Sequence, residues 1–344
     1  MEHTTLGPTG TSVSRFALGT MTFGRESSEE EARAQLDLFL EHGGTLVDTA
    51  NAYGAGASEE IIGRWFADRP TSTREHVVLA TKARFPTGPG PNDLGLSRKH
   101  LTAALDASLR RLRTHWIDLY QVHAFDPHTP LEETLGFLDD AVTAGKIHYV
   151  GLSNYTGWQI QRAVDIARYT GLTAPVSIQP QYNLLAREVE WEILPAARAN
   201  GLGILPWSPL GGGWLTGKYS RDKTPGSGTR VGENPGRGVE AFDRRGVREQ
   251  TWEVIETLRK VADARAEPMS RIALAWVLAR PGVTSVILGA RTVDHLLDNL
   301  RAGELRLSDD ELDQLSAVST PDTGDYPYGP VGEEQRTRRL AGGR

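Results

Sequence analysis

The chain has 344 residues, 39% hydrophobic and 24% charged, the balance of a soluble globular protein with enough apolar side chains for a large core. A net charge of −6, with no dense Lys/Arg block, argues against a nucleic-acid partner. Cysteine is absent, which excludes disulfides and thiol chemistry. Met1 to Gly10 lacks the basic and apolar regions of a signal peptide, and no apolar run approaches the ~18 residues of a membrane span, so the expected compartment is the cytoplasm.

Thr4-Thr5-Leu6 and Ser12-Val13-Ser14 flank Gly7-Pro8-Thr9-Gly10 and read as a β-hairpin. Phe16-Ala17-Leu18-Gly19 reads as a buried strand, followed by a helix capped by Ser28, with Glu29, Glu30 and Glu31 in its first turn. Leu46-Val47-Asp48 is the second strand, and Ser58 is the expected cap of a helix carrying Ile61, Ile62, Trp65 and Phe66. A strand at 77–81 precedes a helix from Ser97 to about Arg113, whose Leu101, Leu105, Leu109 and Leu112 share one face. The alternation continues with strands at 117–122, 147–152, 176–178 and 203–206 and helices at 130–144, 160–169 and 188–199. A Gly/Pro-rich loop from 208 to 246 interrupts it before helices at 252–264 and 271–279. Strand 285–288 leads to a helix at 293–300, Ser308 starts one more helix, and the tail from Pro321 reads as irregular.

Eight strands in strict alternation with helices predict parallel pairing through helical crossovers. An open doubly wound sheet would satisfy that pattern, but the eightfold count favours a closed (β/α)8 barrel in a single domain spanning 1–344, with an N-terminal hairpin and a long loop after the seventh strand. Catalytic groups in such barrels sit at the C-terminal ends of the strands.

Three successive strand ends carry chemistry-bearing side chains: Asp48 with Tyr53 five residues on, Lys82, and His123. A tyrosine is a poor acid, with an ordinary pKa of ~10. A neighbouring ammonium stabilises its phenolate, and an aspartate fixes that ammonium. Tyr53, Lys82 and Asp48 therefore read as a proton donor, its tuner and the tuner's anchor, with His123 positioned to hydrogen-bond a carbonyl oxygen. Each residue singly could be an ordinary polar group on a barrel rim. Their shared placement is what points to catalysis. Asp118, in mid-strand, reads as structural. His42, His76, His115, His128 and His148 show no metal-ligand spacing, so no metal is expected.

These pieces resemble the aldo-keto reductases over about Leu6 to Leu300. The matching motifs are Leu18-Gly19-Thr20-Met21 with Phe23-Gly24, Asp48-Thr49-Ala50 with Tyr53-Gly54, Thr81-Lys82, and Ile117-Asp118-Leu119-Tyr120 with His123. Further along they are Gly145-Lys146-Ile147 with Gly151-Leu152-Ser153-Asn154, Gln179 ahead of Gln181-Tyr182-Asn183, the run Trp207 to Gly213, and Gly289-Ala290-Arg291 with Asn299. The resemblance implies NADPH-dependent reduction of a small-molecule aldehyde or ketone, a keto-sugar among the candidates, with Tyr53 as proton donor supported by Asp48, Lys82 and His123.

For the cofactor, the resemblance implies contacts from Gly19, Thr20, Met21 and Asp48, and a carboxamide held by Ser153, Asn154 and Gln179. Trp207 would stack on the nicotinamide, and Ser208, Pro209, Leu210, Gly211 and Gly213 would wrap the pyrophosphate. Lys218 and Arg230 would add charge contacts, Arg291 would meet the 2′-phosphate, His295 and Asp298 would lie around the adenine, and Gly289 and Asn299 would also touch the cofactor. Relatives often carry Gln and Glu at the positions of His295 and Asp298. The similarity extends to potassium-channel β-subunits, so an NADP(H)-binding regulatory subunit with little turnover is the alternative function.

Overall fold

Strand–helix alternation leaves each strand edge to pair with a neighbour of the same direction, and the chain does this around a full ring. The structure, a computed structural model, describes residues 1–221, 223, 225, 226, 228–233 and 238–338, without the side chains of Arg230 and Val239. Strands β1 (His3–Thr5) and β2 (Ser12–Ser14) form the expected antiparallel hairpin, His3 opposite Ser14. The ring itself comprises β3 (Phe16–Gly19), β4 (Leu46–Asp48), β5 (Val78–Ala83), β6 (Ile117–Val122), β7 (Ile147–Ser153), β8 (Ser177–Gln179), β9 (Gly203–Ile204) and β10 (Val286–Gly289). Each is parallel to the next, and β10 pairs with β3. A parallel bridge between Ile204 and Val283, with Thr284 N donating to Ile204 O at 2.8 Å and Ile287 N to Pro206 O at 2.9 Å, joins β9 to β10. The result is a (β/α)8 barrel.

The crossovers run through α1 (Glu29–Glu41), α2 (Ala57–Ala67), α3 (Thr71–His76), α4 (Arg98–Leu112), α5 (Leu131–Thr143), α6 (Gly157–Thr170) and α7 (Ile193–Ala199). The loop after β9 carries the short α8 (Arg230–Glu233) and α9 (Phe242–Arg245) before α10 (Glu249–Arg265) and α11 (Met269–Leu278). After β10 come α12 (Val293–Leu300), α13 (Asp309–Val318) and α14 (Pro330–Thr337). Ser28 caps α1 by accepting from Glu31 N at 3.2 Å, and Ser308 forms a reciprocal capping box with Glu311 on α13.

Three expectations need correction. Ser58 is not a cap: α2 begins after Gly56, and the Ser58 hydroxyl is buried against Thr20 Oγ1 at 2.8 Å and Thr49 Oγ1 at 2.9 Å. The helix expected over 188–199 is broken into a single turn at Glu188–Glu190 and α7, with Pro195 in the first turn of α7, where a missing N–H costs nothing. The tail is not wholly irregular, since α14 starts at Pro330, whose fixed φ suits a first helical position.

Side chains facing the barrel axis change character along it. Ala17, Leu46, Ala80, Leu119, Val176, Leu205 and Ile287 form an apolar plug at the strands' N-terminal side, sealed by Leu6 and Val13 of the hairpin. Fully burying a leucine or isoleucine there stabilises the fold by about 1.5–3 kcal/mol. Towards the C-terminal ends the axis turns polar, with Asp48, Lys82, Gln121, Ser153, Ser177 and Gln179 all buried. Outside the sheet the helices pack through a second, larger core that includes Leu36, Phe39, Trp65, Leu105, Ile160 and Trp276. Asp118 is structural: it pairs with Arg74 at 2.8 Å and accepts from Leu79 N at 2.9 Å.

Candidate active site

Parallel register brings the strand ends together. Asp48 lies opposite Gly19 and Ala80, Lys82 opposite Gln121, and Ser153 opposite Gln179. Tyr53 follows β4 on a tight turn at Tyr53–Gly56, and His123 directly follows β6. The four residues named from their strand-end positions therefore meet at the C-terminal mouth of the barrel.

Lys82 is wholly buried and its ammonium has three acceptors: Asp48 Oδ2 at 2.6 Å, Thr49 O at 2.9 Å and Tyr53 Oη at 3.4 Å. Those account for all three of its N–H donors. Burial by itself would discharge the lysine, but Asp48 and Tyr53 outweigh it and hold the ammonium above the ordinary lysine pKa. The other oxygen of Asp48 accepts from Gln121 Nε2 at 3.0 Å and Gln179 Nε2 at 2.9 Å. Both carboxylate oxygens are thereby engaged, which is what a charge this deep requires.

His123 is buried beside Tyr53, with ring centroids 5.8 Å apart in an edge-on contact. Burial, then the positive charges of Lys82 and Arg84, push its imidazole well below the ordinary histidine value. It is therefore neutral near neutral pH, with one nitrogen able to donate and the other to accept. Phe85 covers the same ring at a centroid distance of 4.4 Å. Sequence reasoning missed Phe85 and Gln121. Gln121 was visible in principle, because it alternates inward on β6 in step with Leu119 before it and His123 just past the strand's end. Gly151 makes room for it: a Cβ there would lie 2.7 Å from Gln121 Cγ and 2.9 Å from Ser177 Oγ.

The residues expected around a dinucleotide fall into groups. Gly19 packs where a Cβ would lie 2.6 Å from Ile287 Cγ2, the buried Thr20 hydroxyl donates to Asp48 O at 3.0 Å, and Met21 is half-buried beside them. Ser153 Oγ donates to Gln179 O at 2.9 Å. Asn154 Nδ2 reaches His123 O at 2.9 Å, while Asn154 Oδ1 accepts from the Trp207 indole at 3.1 Å. This bond ties the half-buried Trp207 to the rim next to His123. Gln179 spends its amide N–H groups on Asp48 and Gln121, and its Oε1 accepts no hydrogen bond among the described residues. That leaves an acceptor suited to an amide donor, which fits a nicotinamide carboxamide.

In the loop after β9, Ser208, Gly211, Gly212 and Gly213 all have positive φ, flanking Pro209 and Leu210 in one tight coil. Ser208 Oγ contacts Glu240 Oε1 at 3.1 Å, and Glu240 also pairs with Arg245 at 2.8 Å. Glu240 lies close enough to Gly212 that a Cβ there would meet Glu240 Cβ at 3.1 Å. Lys218 is exposed with its Nζ 5.6 Å from the Tyr219 ring centroid, and the Arg230 side chain lies outside the described residues.

Across the mouth, Gly289 faces open space at the end of β10. Arg291 is fully engaged, with Nε donating to Glu26 at 3.0 Å and Nη2 to Glu233 at 2.9 Å. His295 N donates to its cap Thr292 at 3.2 Å, Asn299 is buried, and the Asp298 carboxylate accepts from Arg271 Nε at 3.0 Å. Arg291 thus precedes α12, His295 lies in its first turn, and Asp298 and Asn299 lie in its last. A cavity of about 740 Å³ lined by Arg15, Phe16, Leu278, Leu300 and Arg301 contains none of these groups. Among the described residues no three His, Cys, Asp or Glu side chains converge on a metal position, and no helix is long and apolar enough to cross a membrane.

Comparison with known proteins adds the lineage. A family model described as the aldo/keto reductase family matches residues 15–320. An uncharacterized oxidoreductase of Bacillus subtilis, YrpG, is 40% identical over 335 residues, covering 95% of this chain and 98% of the relative. A probable voltage-gated potassium channel β-subunit of Oryza sativa is 34% identical, with 92% and 96% covered. L-glyceraldehyde 3-phosphate reductase of Escherichia coli is 34% identical, with 92% and 91% covered. With the family match spanning nearly the whole barrel, the chain belongs to the aldo/keto reductase family.

Proposed function

We propose that this protein reduces an aldehyde or ketone to an alcohol with NADPH, and that Tyr53 supplies the proton. The observation that carries this reading is the Lys82 ammonium, 2.6 Å from Asp48 and 3.4 Å from the Tyr53 hydroxyl. A phenol that accepts from an ammonium gives up its proton more readily, because the charge left behind is already countered. Neutral His123 donates a hydrogen bond to the substrate oxygen and aligns it with Tyr53. Asp48, pinned by Gln121 and Gln179, stops Lys82 from drifting towards the developing charge.

The cofactor, when bound, supplies the hydride to the carbonyl carbon. Gln179 and Asn154 are the residues suited to its carboxamide, Trp207 to its ring, the Ser208–Gly213 coil to its pyrophosphate and Arg291 to its 2′-phosphate. The substrate oxygen then takes the Tyr53 proton, so the carbonyl leaves as an alcohol. An Escherichia coli relative named for reducing L-glyceraldehyde 3-phosphate supports an aldehyde substrate, and keto-sugars belong on the same panel.

A second reading, an NADP(H)-binding sensor subunit, is favoured by the channel β-subunit relative. Steady-state NADPH oxidation with aldehydes, ketones and nucleotide-linked keto-sugars separates the two. Turnover by the wild type that falls ~10²–10⁴-fold in Tyr53→Phe supports reduction. Tight NADPH binding with no oxidation by any carbonyl supports the sensor.

A further inference from the structure

Arg84 follows β5, two positions beyond Lys82, and its guanidinium carbon lies 5.5 Å from the Phe85 ring centroid. Phe85 in turn rests on His123. The half-buried Arg84 is thus next to the reacting groups, yet among the described residues its guanidinium has no hydrogen bond and no ion pair. Its Nε is buried without any acceptor.

Several other arginines packed into the structure are matched by a carboxylate, whereas Arg280, whose Nε is likewise buried without an acceptor, still donates through Nη1 to Ser316 Oγ at 3.2 Å. Arg111 pairs with Glu59 at 2.7 Å, Arg187 with Glu190 at 2.8 Å, Arg245 with Glu240 at 2.8 Å and Arg271 with Glu267 at 2.8 Å. Asp126 is near enough to feel the Arg84 charge, but its carboxylate is already occupied. It accepts from Leu96 N at 2.8 Å, His128 N at 3.0 Å and Thr129 Oγ1 at 2.7 Å. The Arg84 charge also reaches His123, where it adds to burial and Lys82 in disfavouring the imidazolium. A partly desolvated guanidinium with no partner is costly, and an anion that pairs with it repays that cost on binding.

The surrounding surface is aromatic. Phe125 follows β6, and Trp158 at the start of α6 meets it edge-on at 5.7 Å while remaining 57% exposed. We propose that Arg84 is a substrate-binding residue that grips an anionic oxygen group, a carboxylate or a phosphate, on a carbonyl substrate with an apolar or aromatic body. The inference rests on the reduction reading above and names the substrate class of the same site.

The test compares benzaldehyde with 3-carboxybenzaldehyde, 4-carboxybenzaldehyde and 3-formylphenyl phosphate in wild type, Arg84→Gln and Arg84→Lys. The best charged aldehyde should exceed benzaldehyde in kcat/KM for the wild type, and that ratio should fall at least about tenfold in Arg84→Gln, mainly through KM. Arg84→Lys should keep part of it, and the carboxylate and phosphate arms identify which anion fits. An unchanged ratio in Arg84→Gln overturns the proposal. Tryptophan-fluorescence titration of the NADPH-loaded protein with benzoate and benzamide gives a readout independent of turnover. If no aldehyde is reduced, the reduction reading fails, while a benzoate preference lost in Arg84→Gln still upholds the anion site. A benzoate-to-benzamide ratio equal in wild type and Arg84→Gln removes it.

Discussion

The Lys82 ammonium and the Asp48 carboxylate stand 2.6 Å apart with both side chains almost wholly withdrawn from solvent. Each ion is affordable only because the other is there, and the surrounding amides of Gln121 and Gln179 complete the carboxylate's bonding.

Removing one member of this pair should therefore be far more harmful than its single contact suggests. Asp48→Asn leaves Lys82 buried without a countercharge, a change that typically costs ~3–5 kcal/mol. Urea unfolding of the variant should show a loss in that range, with Asp48→Asn/Lys82→Met recovering part of it. A variant as stable as wild type would mean that Thr49 and Tyr53 suffice to hold the ammonium.

Gly151 offers a test of the barrel's polar layer that touches no ionisable group. A methyl at that position would lie 2.7 Å from Gln121 Cγ, and overpacking a tight interior costs ~1–3 kcal/mol. Thermal unfolding of Gly151→Ala should show the loss, and the same substitution should cost less in a Gln121→Ala background, which itself gives up the Gln121 bond to Asp48. An equal cost in both backgrounds would place the strain at Ser177 instead.

His123 has a folded-state pKa depressed below its ordinary 6.5. Above that value both folded and unfolded forms are neutral, and this residue adds no pH dependence. As pH falls below it, the unfolded chain takes up a proton that the folded site refuses, so stability declines towards the folded pKa. The fall in unfolding free energy below about pH 6.5 should be shallower in His123→Asn than in wild type. Identical slopes would show that the imidazole protonates in place.

Arg291 is paired with Glu26 and Glu233, so an incoming 2′-phosphate would compete with two carboxylates. Arg291→Ala should weaken NADPH by roughly ten- to a hundredfold and leave NADH nearly unchanged, since hydrogen bonds to charged groups contribute ~1.5–3 kcal/mol. Glu233→Gln should act in the opposite direction and tighten NADPH. Fluorescence titration of both cofactors decides it: equal losses for NADH and NADPH in Arg291→Ala would show that this arginine does not read the phosphate.

Much of the architecture was legible along the chain because its causes are short-range. Apolar periodicity marked the eight parallel strands, and serine followed by acidic residues marked the start of α1 and α13. Ser58 failed the same rule. An oxygen beside a helix start can bond elsewhere when the fold brings Thr20 and Thr49 against it, and nothing local reveals that.

The sequence by itself determined the alternating elements and the placement of Asp48, Lys82 and His123 at strand ends, because side-chain period and turn chemistry act over a few residues. Only the tertiary structure decided what those groups bind. Gln179 reaches Asp48 across 131 residues and Arg291 reaches Glu26 across 265, partnerships that exist because the ring closes. That Arg84 has no ion pair among the described residues has the same origin, since whether a guanidinium finds an acid depends on every strand end and loop around it. Charge pairing is a property of distance in space, and a barrel makes neighbours of residues that the chain keeps far apart.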